Sequence, residues 1–289
     1  MDADLDTLCT AVYCTADDLL PEKPGNARRR VSDAEVVTLC VAQAIRGIPS
    51  DRRFLAVARK RLQGLFPELP KQPGYHKRRR RLAETIEWLT VIFASQSPGY
   101  EDDLLLIDST PLECARSLET TRRSQLAEAA EYGYCASHSR FFWGFRLHGL
   151  FSPDGTPRGF ALTSPKRDER EVGLELLARA KRAGGETVVA DKGYAGREFA
   201  RAAGDLGAQI IRPARRDEPA TGVRLAKIRQ RIESIFWTLK DILTLERHGA
   251  RTLANLRVRI SQRFLALAAC IALNHRLGRP SRALVDYVA

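Results

Sequence analysis

Leu104-Leu105-Leu106-Ile107-Asp108 is the stretch on which the fold turns. Four apolar residues end in a carboxylate. The run is too short for a free-standing helix and reads as a buried strand with an acid at its end. Thr187-Val188-Val189-Ala190-Asp191 repeats the pattern with β-branched residues. Between the two, residues 142–151 are mostly apolar, with Arg146 and His148 in alternate positions. Pro153-Asp154-Gly155 is a turn signal, and residues 159–163 read as the returning strand of a hairpin. Residues 169–182 read as a helix that Gly184-Gly185 stops, residues 197–203 as another, and residues 209–212 as a last strand. Long helical segments follow near 225–243 and 252–277. Strands alternating with helices after an early hairpin predict an α/β domain with a mixed sheet.

Upstream the texture is helical. Leu5, Leu8 and Val12 recur at helical spacing, and Ser32-Asp33-Ala34-Glu35 is a capping-box pattern ahead of Val36 and Val37. Residues 52–62 predict another helix. Pro67, Pro70, Pro73 and Gly74 break the pattern before the basic run Lys77-Arg78-Arg79-Arg80-Arg81, and a further helix carries Leu82, Ile86, Leu89 and Ile92. Ser97-Pro98-Gly99 is a turn. The expected organisation is a helical domain over residues 1–97 and an α/β domain over residues 98–289 that includes the C-terminal helices.

The 289 residues are 44% hydrophobic and 28% charged, ordinary for a globular chain, but the net charge is +12. That excess favours a polyanionic partner, nucleic acid before an anionic membrane surface. The six cysteines are scattered with no C-x2-C pair, which argues against a disulfide scaffold or structural zinc and for free thiols. The first 20 residues hold five aspartates and no cation, unlike a secretory signal. The longest apolar stretch, residues 264–273, is too short to span a bilayer and reads as a buried helix. A soluble, intracellular protein is expected.

In so basic a chain, an acidic cluster needs its own reason. Asp108 and Asp191 close the two strands, and Glu233 lies in the helix around residues 227–243. Two acids at strand ends and one on a helix can converge on divalent ions, which take hard oxygen ligands. Two ions roughly 3.5–4 Å apart activate an attacking oxygen and stabilise a leaving one in phosphoryl transfer. On the helix, Ile228, Ile232, Ile235, Phe236, Leu239, Ile242 and Leu243 form an apolar stripe, and Arg229, Glu233 and Lys240 share another face within roughly 40° of one another. Taken singly, these features have ordinary readings: an i,i+4 Arg–Glu pair on a solvated helix, and turn-forming aspartates.

Arg229, Glu233 and Lys240 match the R-x3-E-x6-K part of the Y-x2-R-x3-E-x6-K signature of a large group of insertion-sequence transposases, with Ala226 where that signature has tyrosine. Asp191-Lys192-Gly193-Tyr194 resembles that group's second-aspartate motif, and Ile107-Asp108-Ser109-Thr110 its first. Residues 132–139 and 229–236 resemble the insertion sequence 982 family, and the likeness covers about residues 30 to 285. It implies a ribonuclease H-like catalytic core, a mixed sheet flanked by helices, behind an N-terminal all-helical domain. It implies a triad of Asp108, Asp191 and Glu233 holding two Mg2+ or Mn2+ ions. It also implies cleavage of double-stranded DNA at element ends and joining to target DNA, by a homodimer or larger assembly at the prokaryotic nucleoid.

Charge runs are usually solvated faces. Here Lys77, Arg78, Arg79, Arg80 and Arg81, then Arg212, Arg215 and Arg216 after the last strand, and Arg229 and Lys240 are expected on the DNA backbone. Arg146 and His148 share a strand face expected to look toward the triad. Tyr194 stands beside Asp191, and Trp237 offers packing or a base-stacking ring. Two other functions use the same residues: a metal-dependent nuclease without strand transfer, and a DNA-binding regulator with an inactive core.

Overall fold

The computed structural model describes residues 4–21, 30–135, 139–180, 184–215, 218 and 225–288. Its contacts divide the chain into two compact units, Met1–Gln96 with Thr238–Ala289, and Ser97–Trp237. The sequence places a boundary near residue 97, and the contacts separate the units between Gln96 and Ser97. The C-terminal helices, expected with the α/β domain, instead group with the N-terminal helices.

In the Ser97–Trp237 unit, six strands form one sheet: β1 (Leu104–Ala115), β2 (Glu131–Cys135), β3 (Arg140–Phe151), β4 (Pro157–Thr163), β5 (Glu186–Val189) and β6 (Ala208–Ile211). β1 is central, antiparallel to β3 on one side and parallel to β5 on the other, with β6 parallel beyond β5. β4 and β2 pair along the far edge of β3. A hairpin followed by parallel strands across β1 is the ribonuclease H-like arrangement. The helices of this unit are α6 (Leu118–Arg123), α7 (Glu169–Ala180), α8 (Arg197–Asp205) and α9 (Ala226–Trp237). Leu105, Ile107, Val188 and Ala190 pack with Val172, Leu176 and Leu177 of α7 and Phe199 and Ala203 of α8. That face is buried, and each fully buried aliphatic side chain on it contributes about 1.5–3 kcal/mol.

The other unit holds α1 (Leu5–Leu19), α2 (Asp33–Ile45), α3 (Asp51–Arg61), α4 (Gln72–Arg81), α5 (Ala83–Ser95), α10 (Leu253–Arg276) and α11 (Val285–Val288). The capping box at Ser32 forms in full: the Ser32 hydroxyl accepts from the Glu35 amide, and the Glu35 carboxylate accepts from the Ser32 amide. α10 explains the regrouping of the C-terminus. Every residue from Leu256 to Asn274 except Arg257 is buried, and the helix packs on α5, α2, α1 and α4. No helix among the described residues is long and apolar enough to cross a membrane. All six cysteines are free thiols.

Candidate active site

Asp108 lies inside β1, not at its end. β3 pairs with β1 as far as Ala115, so the strand outlasts its apolar run. Alternation puts Asp108 on the face of Leu106, opposite Gly149 of β3. α9 packs against β1, and the Phe236 ring meets Phe151, the partner of Leu106, edge-on at 5.7 Å between centroids. The same helix carries Glu233, which is exposed beside the buried Ile232, Ile235 and Phe236. Asp191 stands two residues past the end of β5, and its carboxylate accepts from the Gly193 amide at 2.7 Å, capping a 3-10 turn over Lys192–Tyr194. Leu106 and Val189 are register partners across β1 and β5, and each aspartate stands two residues beyond that pair.

Asp108 feels both of the other acids. Burial pushes the Asp108 carboxyl up to about 7. The charges of Asp191 and Glu233 push the same way, against the Ser109 amide bond and the charge of Arg229. Ser109 N–H donates to Asp108 Oδ1 at 2.7 Å. Among the described residues, no three His, Cys, Asp or Glu side chains stand close enough to form a ligand set. The acids are thus electrostatic neighbours rather than a closed cluster. Their chemistry suits magnesium or manganese, since these are carboxylate oxygens and the repulsion at Asp108 is relieved by a cation.

Around the aspartates stands an acid that the sequence reading missed. Glu169, in the first turn of α7, accepts from the Ser109 hydroxyl at 2.9 Å and is ion-paired with Arg146. Arg146 also donates to Ser109 Oγ and to the Tyr134 carbonyl, each at 3.1 Å. Acidic residues are ordinary at helix starts because they complement the helix dipole, and that hid Glu169 in the sequence. Arg146 and His148 do share a face, that of Pro111 and Ser109, whereas Asp108 faces the other way. His148 is buried with Nε2 3.0 Å from Thr163 Oγ1, and burial with the charges of Arg146 and Arg167 pulls its pKa down to about 4. Tyr194 is buried against Phe199 and beneath Gly173, with its hydroxyl unpartnered. Burial, then the charges of Asp108 and Asp191, push its phenol upward. Trp237 is more than half exposed.

The predicted cations divide. Arg229 is half-buried, and its charge acts on Asp108. Arg212 is held by both oxygens of Glu218, at 2.6 and 2.7 Å, which draws the Glu218 pKa down to about 2. Arg215 is exposed and donates to the Lys192 carbonyl at 3.3 Å, while Arg216 lies outside the described residues. Lys240 does not continue the Arg229–Glu233 face: residues 238–242 are wound as a π-helix, which ends the 100° spacing, and Lys240 pairs with Glu246 at 3.3 Å. Arg79, expected on DNA, is fully buried and bonds Asp51 at 2.6 Å. Arg78 bonds Asp33 at 2.6 Å and the Val31 carbonyl at 2.8 Å. Lys77, Arg80 and Arg81 stay exposed, along an open groove of about 470 Å³ that Arg257 of α10 also lines. The run reads as one block in sequence, but a helix turns about 100° per residue, so five consecutive cations cannot share a face.

A family model described as "Transposase DDE domain" matches residues 99–269. No curated protein matches in sequence. A solved structure, the cryo-EM structure of piggyBac transposase synaptic complex with hairpin DNA, is similar over 97% of this chain and 78% of that one, at a TM-score of 0.44 and 10% identity.

Proposed function

Because this chain belongs to the family of transposase DDE domains, we propose that it cleaves double-stranded DNA at the ends of an insertion element and joins those ends to target DNA. The observation that carries the reading is the convergence on Asp108. Acids from a loop after β5 and from α9 both act on one carboxylate inside β1. Asp108, Asp191 and Glu233 would hold two Mg2+ or Mn2+ ions, which when bound activate the attacking oxygen and stabilise the leaving one. The chain's own residues supply placement and charge. The Ser109 amide fixes one oxygen of Asp108, the Gly193 amide fixes one of Asp191, and Arg229 offers a cation beside them to a phosphate.

The finer reading is an insertion sequence 982 transposase, resting on residues 132–139 and 229–236, that works as a homodimer or larger assembly at a prokaryotic nucleoid. Arg215, Arg216, Arg229, Lys240, Lys77, Arg80 and Arg81 are its proposed backbone contacts; Arg212, already held by Glu218, is a weaker one. Phosphate contacts of this kind position DNA without reading sequence.

Asp108→Asn, Asp191→Asn and Glu233→Gln are each expected to lower Mn2+-dependent cleavage of end-containing DNA by at least ~10³-fold while DNA binding persists. Full cleavage by Asp191→Asn would remove the triad. A joining assay with a pre-cut 3′-hydroxyl end separates transposase from plain nuclease, since only the former yields joined product.

A further inference from the structure

We propose that Glu169 and Arg146 are positioning residues that set the two aspartates relative to each other; this rests on the triad reading above. One carboxylate reaches both aspartate segments. Glu169 Oε1 accepts from the Ser109 hydroxyl at 2.9 Å, and the Ser109 amide holds Asp108 at 2.7 Å. Glu169 Oε2 lies on the other side, over Gly193, whose amide holds Asp191 at 2.7 Å. A Cβ at Gly193 would come within 3.0 Å of Glu169 Oε2 and 2.9 Å of Asp191 Oδ1. A side chain at position 193 would make both carboxylate ends give way.

Two acids that near each other need a counter-charge, and Arg146 provides it. Its guanidinium is ion-paired with Glu169, donates to Ser109 Oγ, and is itself tied to the Tyr134 carbonyl. Arg146 and Glu169 are about four-fifths buried, so the pair is little screened and holds its geometry. Neither residue faces α9, so neither competes with Glu233. They act from the opposite face of the sheet, through Ser109 and Gly193. Outer partners of this kind commonly change metal affinity or activity by about 10–100-fold when removed.

The test uses the full chain. Glu169→Ala is expected to slow single-turnover cleavage about 10–100-fold and to weaken Mn2+ affinity, read by electron paramagnetic resonance of the free ion, about tenfold. DNA affinity should stay near that of the parent, while the unfolding midpoint falls somewhat because Arg146 loses its partner. Glu169→Gln keeps an acceptor for Ser109 and should recover most of both losses. Gly193→Ala should reproduce the Glu169→Ala loss. Parental cleavage and Mn2+ affinity in Glu169→Ala would overturn the proposal, as would a Glu169→Gln variant no better than alanine. So would a loss of cleavage matched by equal losses of DNA affinity and folding, which marks a merely structural role. Asp191→Asn run in parallel separates the two ideas: if it is inactive while Glu169→Ala is fully active, the positioning role alone fails; if it cleaves, the triad itself fails.

Discussion

Asp51 and Asp108 are the same side chain, withdrawn from water in two different units, and the protein treats them in opposite ways. Burial would raise both. At Asp51 the Arg79 bond and the charges of Arg79 and Arg259 overrule it and hold the carboxyl at about 2. At Asp108 burial prevails and carries the pKa to about 7, helped by the charges of Asp191 and Glu233 against the Ser109 amide and Arg229. Arg79 and Arg259 each reach Asp51 at 2.6 Å, Gln43 adds a bond at 3.1 Å, and Asn255 takes another Arg79 nitrogen at 3.0 Å. Arg263, buried along α10, donates to the carbonyls of Arg259 and Thr244, and its Nε, like those of Arg79 and Arg259, meets no acceptor among the described residues. That cluster ties α3, α4 and α10 together around one carboxylate. At Asp108 two further acids act on the buried carboxyl, opposed by the Ser109 amide and the charge of Arg229. A buried carboxylate gripped by guanidiniums is architecture, whereas one whose charged neighbours include other acids is suited to a cation.

The comparison breaks most visibly at Asp51. Asp51→Ala strands two buried guanidiniums and is expected to cost about 3–5 kcal/mol, measured by urea unfolding. A loss below 1 kcal/mol would mean that the network is not centred on Asp51.

Asp108→Asn should act in the opposite sense on the metal-free protein. A carboxyl raised from 3.8 to about 7 by folding contributes stability that is complete below pH 3.8 and lost as pH rises through about 7. Its neutral replacement is therefore expected to gain about 1–2 kcal/mol at pH 8 and almost nothing at pH 4. Equal effects at both pH values would show that the site carries no strain of charge.

His248 sharpens the helical side. Burial, with the charges of Arg263 and Arg259, draws its pKa to about 4, and its Nδ1 accepts from the Ala250 amide at 3.0 Å. A histidine depressed by folding contributes stability that is present above pH 6.5 and lost as pH falls through about 4. His248→Gln should shrink the stability difference between pH 7 and pH 4.5 by about 1 kcal/mol, read from paired denaturation curves.

The smallest effects belong to the exposed cations. Lys77→Ala, Arg80→Ala and Arg81→Ala should each weaken DNA binding a few-fold and lower the slope of log K against log salt by about 1, with stability unchanged. Arg79→Ala should leave no such slope change and instead unfold the helical unit. A parental salt slope in all three surface variants would remove α4 from the DNA interface.

Some elements were legible because local pattern and tertiary demand agree. The capping box at Ser32, the strand at Val188 and Val189 and the hairpin over β3 and β4 all stand where periodicity and turn residues put them. β2 was not legible. Glu131-Tyr132-Gly133-Tyr134-Cys135 has no apolar run, and pairing with β3 makes it a strand. Glu169 was hidden for a related reason. A lone acid at a helix start has an ordinary local explanation, and only folding sets it between Ser109 and Gly193.

By itself the sequence determined the α/β order of elements, the two aspartates that follow apolar runs, the helix that offers Glu233, and a polyanion-seeking charge of +12. These depend on residue type and short-range spacing, which the covalent chain carries. Tertiary structure alone decided which charges face water and which face each other. It buried Arg79 on Asp51, left Lys77, Arg80 and Arg81 outside, and set the C-terminal helix among the N-terminal ones. The reason is physical: a charge is ruled by what lies within a few ångströms in space, and residues as far apart as Arg79 and Asn255 become neighbours only when the chain has folded.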